Sequence, residues 1–259
     1  MAYTHLITDV NDRFVGTITL NRPDQLNTFN SLLAEELVAA LADMDADQTV
    51  RVILLKGAGK AFCAGIDVHE LAGKSAMAYR AWIEHMEKPL ITIARLNKPV
   101  IAQVQGVAAA NGLGLAAAAD LAIAAENAKM GLTAINVGLN CVGPVLPVAR
   151  CVGRRRALEL LLYGDLIKAP EAHTMGLINR VVPVEDLETE ALAWAETLAQ
   201  KSPIALQIAK KAFYASEDMD YFRQFELMNE AFARLCTTRD AKEGVAAFFE
   251  RRNPVWEER

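Results

Sequence analysis

Pro99-Val100-Ile101-Ala102-Gln103-Val104-Gln105-Gly106-Val107-Ala108-Ala109-Ala110-Asn111-Gly112-Leu113-Gly114-Leu115-Ala116-Ala117-Ala118-Ala119 carries no charge from end to end. A membrane-spanning helix needs about 20 apolar residues, so the stretch has the length for one. Its composition argues against it, because Gln103, Gln105, Gly106, Asn111, Gly112 and Gly114 place polar and flexible positions in its middle. The pattern predicts a buried strand over residues 100–104, a glycine-containing corner, and a buried helix over residues 113–119. A further buried strand follows at 121–124. Strands alternating with helices point to a parallel sheet built from β-α units.

Working outward, residues 5–10 and 14–20 read as two strands joined at Asn11-Asp12, which is turn chemistry. Pro23 ends the second strand, since proline cannot continue a ladder. A helix is expected to start near Asn30 or Ser31, both good caps. Leu33, Leu37, Leu41 and Met44 then recur at helical spacing along one face. Residues 52–55 read as a buried strand, and 76–96 as an amphipathic helix. From about residue 154 the pattern turns helical. Ser202-Pro203 is a helix start, with a cap before proline at the first helical position. Segments 186–200, 204–217, 220–236 and 239–250 all fit helices. The expected organisation is α/β, with a body over residues 1–195 and a helical region over 196–259.

The chain has 259 residues, 27 Lys+Arg and 32 Asp+Glu, hence a formal charge of −5. That balance argues against a nucleic-acid partner or an anionic membrane surface, both of which favour a basic face. It leaves room for one phosphorylated ligand held locally. Four cysteines (Cys63, Cys141, Cys151, Cys236) show neither CxxC pairing nor zinc-finger spacing. Reduced thiols in a cytoplasmic protein are therefore expected. The opening MAYTHLITDV has no cationic segment before an apolar run, so no secretory signal is expected either.

Gly112-Leu113-Gly114-Leu115-Ala116-Ala117 fits the GxGxxA pattern of dinucleotide sites, but residues 127–140 lack one thing that motif needs. They contain no acidic residue to meet a ribose. A tight strand-to-helix corner is the better reading. A second corner stands at Ala61-Phe62-Cys63-Ala64-Gly65-Ile66-Asp67. At such corners main-chain N–H groups lack helical partners and can meet a ligand oxygen. Two of them converging would stabilise a developing oxyanion. Ordinary tight turns explain the same spacing.

Taken together in order, further markers run over nearly the whole chain. They are Leu20-Asn21-Arg22-Pro23 with Leu26-Asn27, the 61–67 run, Lys98-Pro99-Val100-Ile101-Ala102, Gln105-Gly106, and Asp120-Leu121-Ala122-Ile123-Ala124. Asn136-Val137-Gly138-Leu139, the 154–162 run, the segment from Gly176 to Pro183, and Phe249-Glu250-Arg251-Arg252 complete them. In these, the chain resembles the crotonase superfamily, the enoyl-CoA hydratase/isomerase family. The resemblance implies a spiral of β-β-α turns with a C-terminal all-helical region, assembled as a homotrimer or homohexamer. It implies an acyl-CoA substrate, with coenzyme A entering as part of it and no separate cofactor or metal. It places two main-chain oxyanion donors at Ile66 and Asn111. Ala64, Asp67, Gly112, Gly114 and Ala134 fall at substrate-binding positions, and Arg251 at a position that contacts the coenzyme A phosphates, often from a neighbouring subunit.

The chain departs from the family where proton transfer is expected. The two glutamates of the family's hydratases fall at 114 and 134, which here are Gly114 and Ala134. A positioned acid or base contributes about 10²–10⁴-fold, so the loss is large. Cys141 is a candidate substitute if its pKa is lowered. Asn136 and Asn140 could orient water, and His85 could face the pocket. His69 and Glu70 read as surface residues. Two small side chains in place of carboxylates suggest acyl-pocket room for a cyclic or conjugated enoyl-CoA. Alternatives are decarboxylation, whose C–C cleavage needs an oxyanion site but no base, thioester hydrolysis, and a non-catalytic thioester-binding protein.

Overall fold

The structure, a computed structural model, describes residues 3–257. A six-stranded sheet runs in the order β1 (Leu6–Val10), β2 (Val15–Leu20), β3 (Val52–Gly57), β4 (Val100–Val104), β6 (Leu121–Ala125), β9 (Arg180–Val182). β1 and β2 form the expected antiparallel hairpin, and every later pairing in this sheet is parallel. The parallel strands β3 and β4 are buried almost throughout, as strands covered on both faces must be.

α1 (Ser31–Ala46) starts where its cap predicts: the Asn30 side chain accepts from Leu33 N at 2.9 Å. Such a cap contributes about 1 kcal/mol. Leu33, Leu37 and Leu41 are fully buried and Met44 nearly so. Each buried leucine stabilises by roughly 1.5–3 kcal/mol relative to exposure. α2 (Ala76–Arg95) covers the neighbouring turn and packs against α1.

A second, three-stranded sheet holds β5 (Val107–Ala109), β7 (Lys129–Gly131) and β8 (Ile167–Lys168). Cys63 bridges to Ala108 at its edge. The chain therefore coils in repeated turns: one strand in the large sheet, one short strand in the small sheet, then a helix. β3, Cys63 and α2 make one turn; β4, β5 and α3 (Asn111–Ala118) the next; β6, β7 and α4 (Val145–Tyr163) the third. This is the expected β-β-α spiral.

The expected helical character beyond residue 154 needs correction. β8, the short helix α5 (Ala169–Thr174) and β9 interrupt it, and β9 pairs with β6 through Ile123 and Arg180. Strands of two and three residues are too short to show an alternating pattern. A boundary at 195 also falls inside α6 (Leu187–Ala199), whose Ala191, Ala195 and Ala199 are buried with the body. After it come α7 (Pro203–Ser216), α8 (Tyr221–Cys236) and α9 (Arg239–Glu250). Ser202 caps α7 by accepting from Ala205 N. Lys210 on α7 ties the helical region to the sheet through Asp120 at 2.7 Å. Among the described residues no helix is long and apolar enough to cross a membrane, and all four cysteines are unpaired.

Candidate active site

Three successive turns of the spiral bring their strand-to-helix corners side by side. Cys63, Ala108 and Met130 stand level with one another across the small sheet. Three residues on from each come Ile66, Asn111 and Thr133, and all three line one cavity of about 860 Å³. That lies within the usual range for small-molecule sites, roughly 300–1,000 Å³. Its other walls come from α2, with Tyr79, Trp82 and Ile83, and from residues 134–141.

The corners are sewn together by main-chain hydrogen bonds. Phe62 N donates to Gln105 O, Cys63 N to Val107 O, and Ala109 N to Cys63 O, all at 2.9–3.1 Å. Neither Ile66 N–H nor Asn111 N–H has a hydrogen-bond partner among the described residues. The residue before each has an unusual conformation: Gly65 has φ 111° and Ala110 has φ 49° and ψ −117°. Such conformations cost of order 1–3 kcal/mol for a residue with a side chain and persist only where packing enforces them. Asn111 is also the first residue of α3, where free N–H groups and the helix dipole favour negative charge. Its side-chain amide reaches Met86 O on α2 at 3.4 Å. Two unpaired amides on one cavity wall can together receive one oxygen atom that gains charge.

The remaining sequence-predicted positions divide. Ala64, Ala134, Asn136, Asn140 and Cys141 line the cavity with the two donors. Asn136 is committed to Gly164 O at 2.9 Å. Gly112 lies under the first corner, where a Cβ would overlap Cys63 O. The room expected at Gly114 is absent: a Cβ there would lie 2.8 Å from Pro144 Cβ and 3.0 Å from Leu90 Cδ2. Pro144 and Leu90 fill the place a longer side chain would occupy. Both glycines of the GxGxxA run are thus explained by close packing.

Asp67 caps the short 3₁₀ turn Val68–Leu71 and pairs with Arg22 at 2.9 Å. Burial raises its carboxyl, but Arg22 and His69 outweigh burial and hold it below the ordinary range. Glu70 is not a free surface group. It accepts from Ser31 N, Ser31 Oγ and Trp82 Nε1, bonds that overcome burial and lower its pKa. Glu70 thereby fixes Trp82 in the cavity wall. His85 sits against Ser31 O at 2.9 Å and takes no place in the cavity lining. His69 is exposed beside Asp67. Arg251 ends α9 in the left-handed conformation with its side chain exposed, away from this cavity.

The environment of Cys141 does not supply the lowered pKa on which its candidacy depends. Burial pushes its thiol up, and a hydrogen bond with the Ala134 main chain offsets this only in part. At neutral pH it is a thiol.

Tyr79, Trp82 and Glu87 escaped the sequence reading. Ile83, Glu87 and Leu90 step by helical spacing along α2, so an acid standing in an apolar stripe was the available signal. Glu87 is half-buried, and burial followed by the nearby Glu84 raises its pKa.

The fold and this corner geometry define a crotonase-type protein. Residues 11–259 match the family model described as enoyl-CoA hydratase/isomerase, and the chain belongs to that family. It is 38% identical, over all of both chains, to a probable enoyl-CoA hydratase of Rhizobium meliloti. It is 36% identical to the 1,2-epoxyphenylacetyl-CoA isomerase of Escherichia coli, covering 94% of this chain and 95% of that one. The crystal structure of an enoyl-CoA hydratase from Mycobacterium smegmatis superposes with a TM-score of 0.94 at 36% identity, covering 98% of this chain and 99% of that one.

Proposed function

We propose that this chain is an acyl-CoA enzyme that receives the thioester carbonyl between the main-chain N–H groups of Ile66 and Asn111 and stabilises the enolate formed from it. The observation that carries this reading is the pair of unpartnered amides, each preceded by a conformationally unusual residue, on the wall of one cavity. Relatives named as enoyl-CoA hydratase and as 1,2-epoxyphenylacetyl-CoA isomerase support a lyase or isomerase reaction. Ala134, small where the second carboxylate is expected, lines the cavity and supports an atypical enoyl-CoA, cyclic or conjugated, as the substrate. Tyr79 and Trp82 give the cavity an aromatic wall suited to a flat acyl group.

Exposed Phe222, Phe225, Phe232, Phe248 and Phe249 on α8 and α9 support self-association. A trimer or hexamer would let Arg251 of one subunit serve the coenzyme A phosphates of another. Light scattering on the purified chain reads this directly.

The chemical test is a panel of linear enoyl-, cyclic dienoyl-, malonyl-type and saturated acyl-CoAs followed by mass. Binding of 4-dimethylaminocinnamoyl-CoA is followed in parallel by absorbance, because a polarised thioester carbonyl shifts its band to the red. Hydration or double-bond migration together with the red shift is the expected result. Carbon dioxide release would move the reaction to decarboxylation. Binding with neither shift nor turnover would overturn the enolate reading.

A further inference from the structure

The position that carries the first glutamate in the family's hydratases is sealed here by Pro144 and Leu90. The same two segments, α2 and the loop before α4, carry a carboxylate that stands behind the cavity lining, one helical turn from it. Ile83 and Cys141 line the cavity. One helical turn beyond Ile83 is Glu87, and two residues beyond Cys141 is Gly143. These two meet: any Cβ at Gly143 would overlap the Glu87 carboxylate. Next along each segment come Leu90 and Pro144, which pack on Gly114. Along both segments Glu87 and Gly143 thus come after the lining residues and before the pair that packs on Gly114, on the helix whose Met86 carbonyl meets the Asn111 side chain.

The other carboxylates near this cavity are engaged. Asp67 is paired with Arg22, Glu70 with Ser31 and Trp82, and Glu84 with Arg80. Glu87 has no hydrogen-bond or ion-pair partner among the described residues. Burial and Glu84 together raise its pKa, which brings its proton affinity closer to that suited to a base near neutral pH.

We propose that Glu87 is the proton-transfer residue of this site, delivered from α2 over Gly143 in place of the absent side chain at 114. The proposal rests on the enolate reading above. The carboxylate takes a proton from the carbon next to the thioester carbonyl. The C–H electron pair becomes the enolate, with its charge on the oxygen held by Ile66 and Asn111. The resulting carboxylic acid returns the proton to carbon, so no other reactant is consumed.

The test incubates wild type, Glu87→Gln and Glu87→Asp with butyryl-CoA and phenylacetyl-CoA in deuterium oxide, reading exchange at that carbon by mass. The red shift of bound 4-dimethylaminocinnamoyl-CoA is recorded for each. Expected are exchange by wild type, a fall of about 10²–10⁴-fold in Glu87→Gln, partial recovery in Glu87→Asp, and a red shift kept by all three. Exchange at the wild-type rate in Glu87→Gln overturns the proposal. So does loss of the red shift together with exchange, which would assign Glu87 to binding, and so does a wild type that shifts the probe without exchanging either substrate. A wild type that shifts no probe overturns the enolate reading itself, and the proposal falls with it.

Discussion

Gly65 and Ala110, the residues immediately before the two free amides, stand against each other: a Cβ on Gly65 would lie 3.1 Å from the Ala110 Cβ. Neighbouring turns of the spiral thus hold the donors together through contact between their preceding residues, with Ala109 O also 3.3 Å from that point. The two amides belong to the main chain, while the buried Asn111 side chain adds a tie to Met86 O on α2.

Gly65→Ala should therefore damage the site more than the fold. At φ 111° an alanine is strained, and its methyl group would press on Ala110. Displacing one oxyanion donor raises the barrier by about 2.7–4 kcal/mol, or about 10²–10³-fold in rate. Turnover on the acyl-CoA panel and the red shift of the bound probe should fall together, with the far-ultraviolet circular dichroism unchanged.

Cys141→Ala should leave turnover as in the parent protein, because burial keeps the sulfur protonated. A steady-state comparison across neutral pH checks it. A lost activity would restore the thiol as the proton carrier.

Glu70 and Glu87 should respond to pH in opposite directions. The folded-state pKa of Glu70 lies below its unfolded value, so its contribution is present above about 4.3, the reference for glutamate, and is lost as pH falls through the folded value. Glu70→Gln should flatten acid destabilisation of the urea midpoint. Glu87 has a raised folded-state pKa, so its ionised form weakens the fold once pH exceeds the reference value. Glu87→Gln should therefore match or exceed the parent in urea midpoint at neutral pH.

Lys210→Met should weaken the attachment of the helical region. The ammonium bonds Asp120 at 2.7 Å and Lys98 O at 2.9 Å from a buried position. Breaking a buried pair from one side costs about 3–5 kcal/mol. Asp120 keeps Val100 N and Tyr214 OH, which places the expected loss at the lower end. Chemical denaturation measures it.

Local pattern was enough for the elements that bury one regular face. The α1 stripe, the Asn30 and Ser202 caps, the opening hairpin and the helices of the last quarter all follow from spacing and capping chemistry. The small sheet did not show itself, because strands of two or three residues carry no period. The two corners were visible as glycine-rich punctuation, and the order of the motifs along the whole chain pointed to the family.

By itself, then, the sequence determined the alternation of strands and helices through local periodicity, and its ordered motifs carried the family resemblance that implies the spiral and the two candidate amides. It also determined that positions 114 and 134 lack carboxylates. Only the tertiary structure decided what surrounds those positions. Pro144 and Leu90 fill the space at Gly114, burial raises the Cys141 thiol instead of lowering it, and Glu87 comes to rest over Gly143. Each depends on contacts between segments far apart in sequence, whose packing no local pattern encodes.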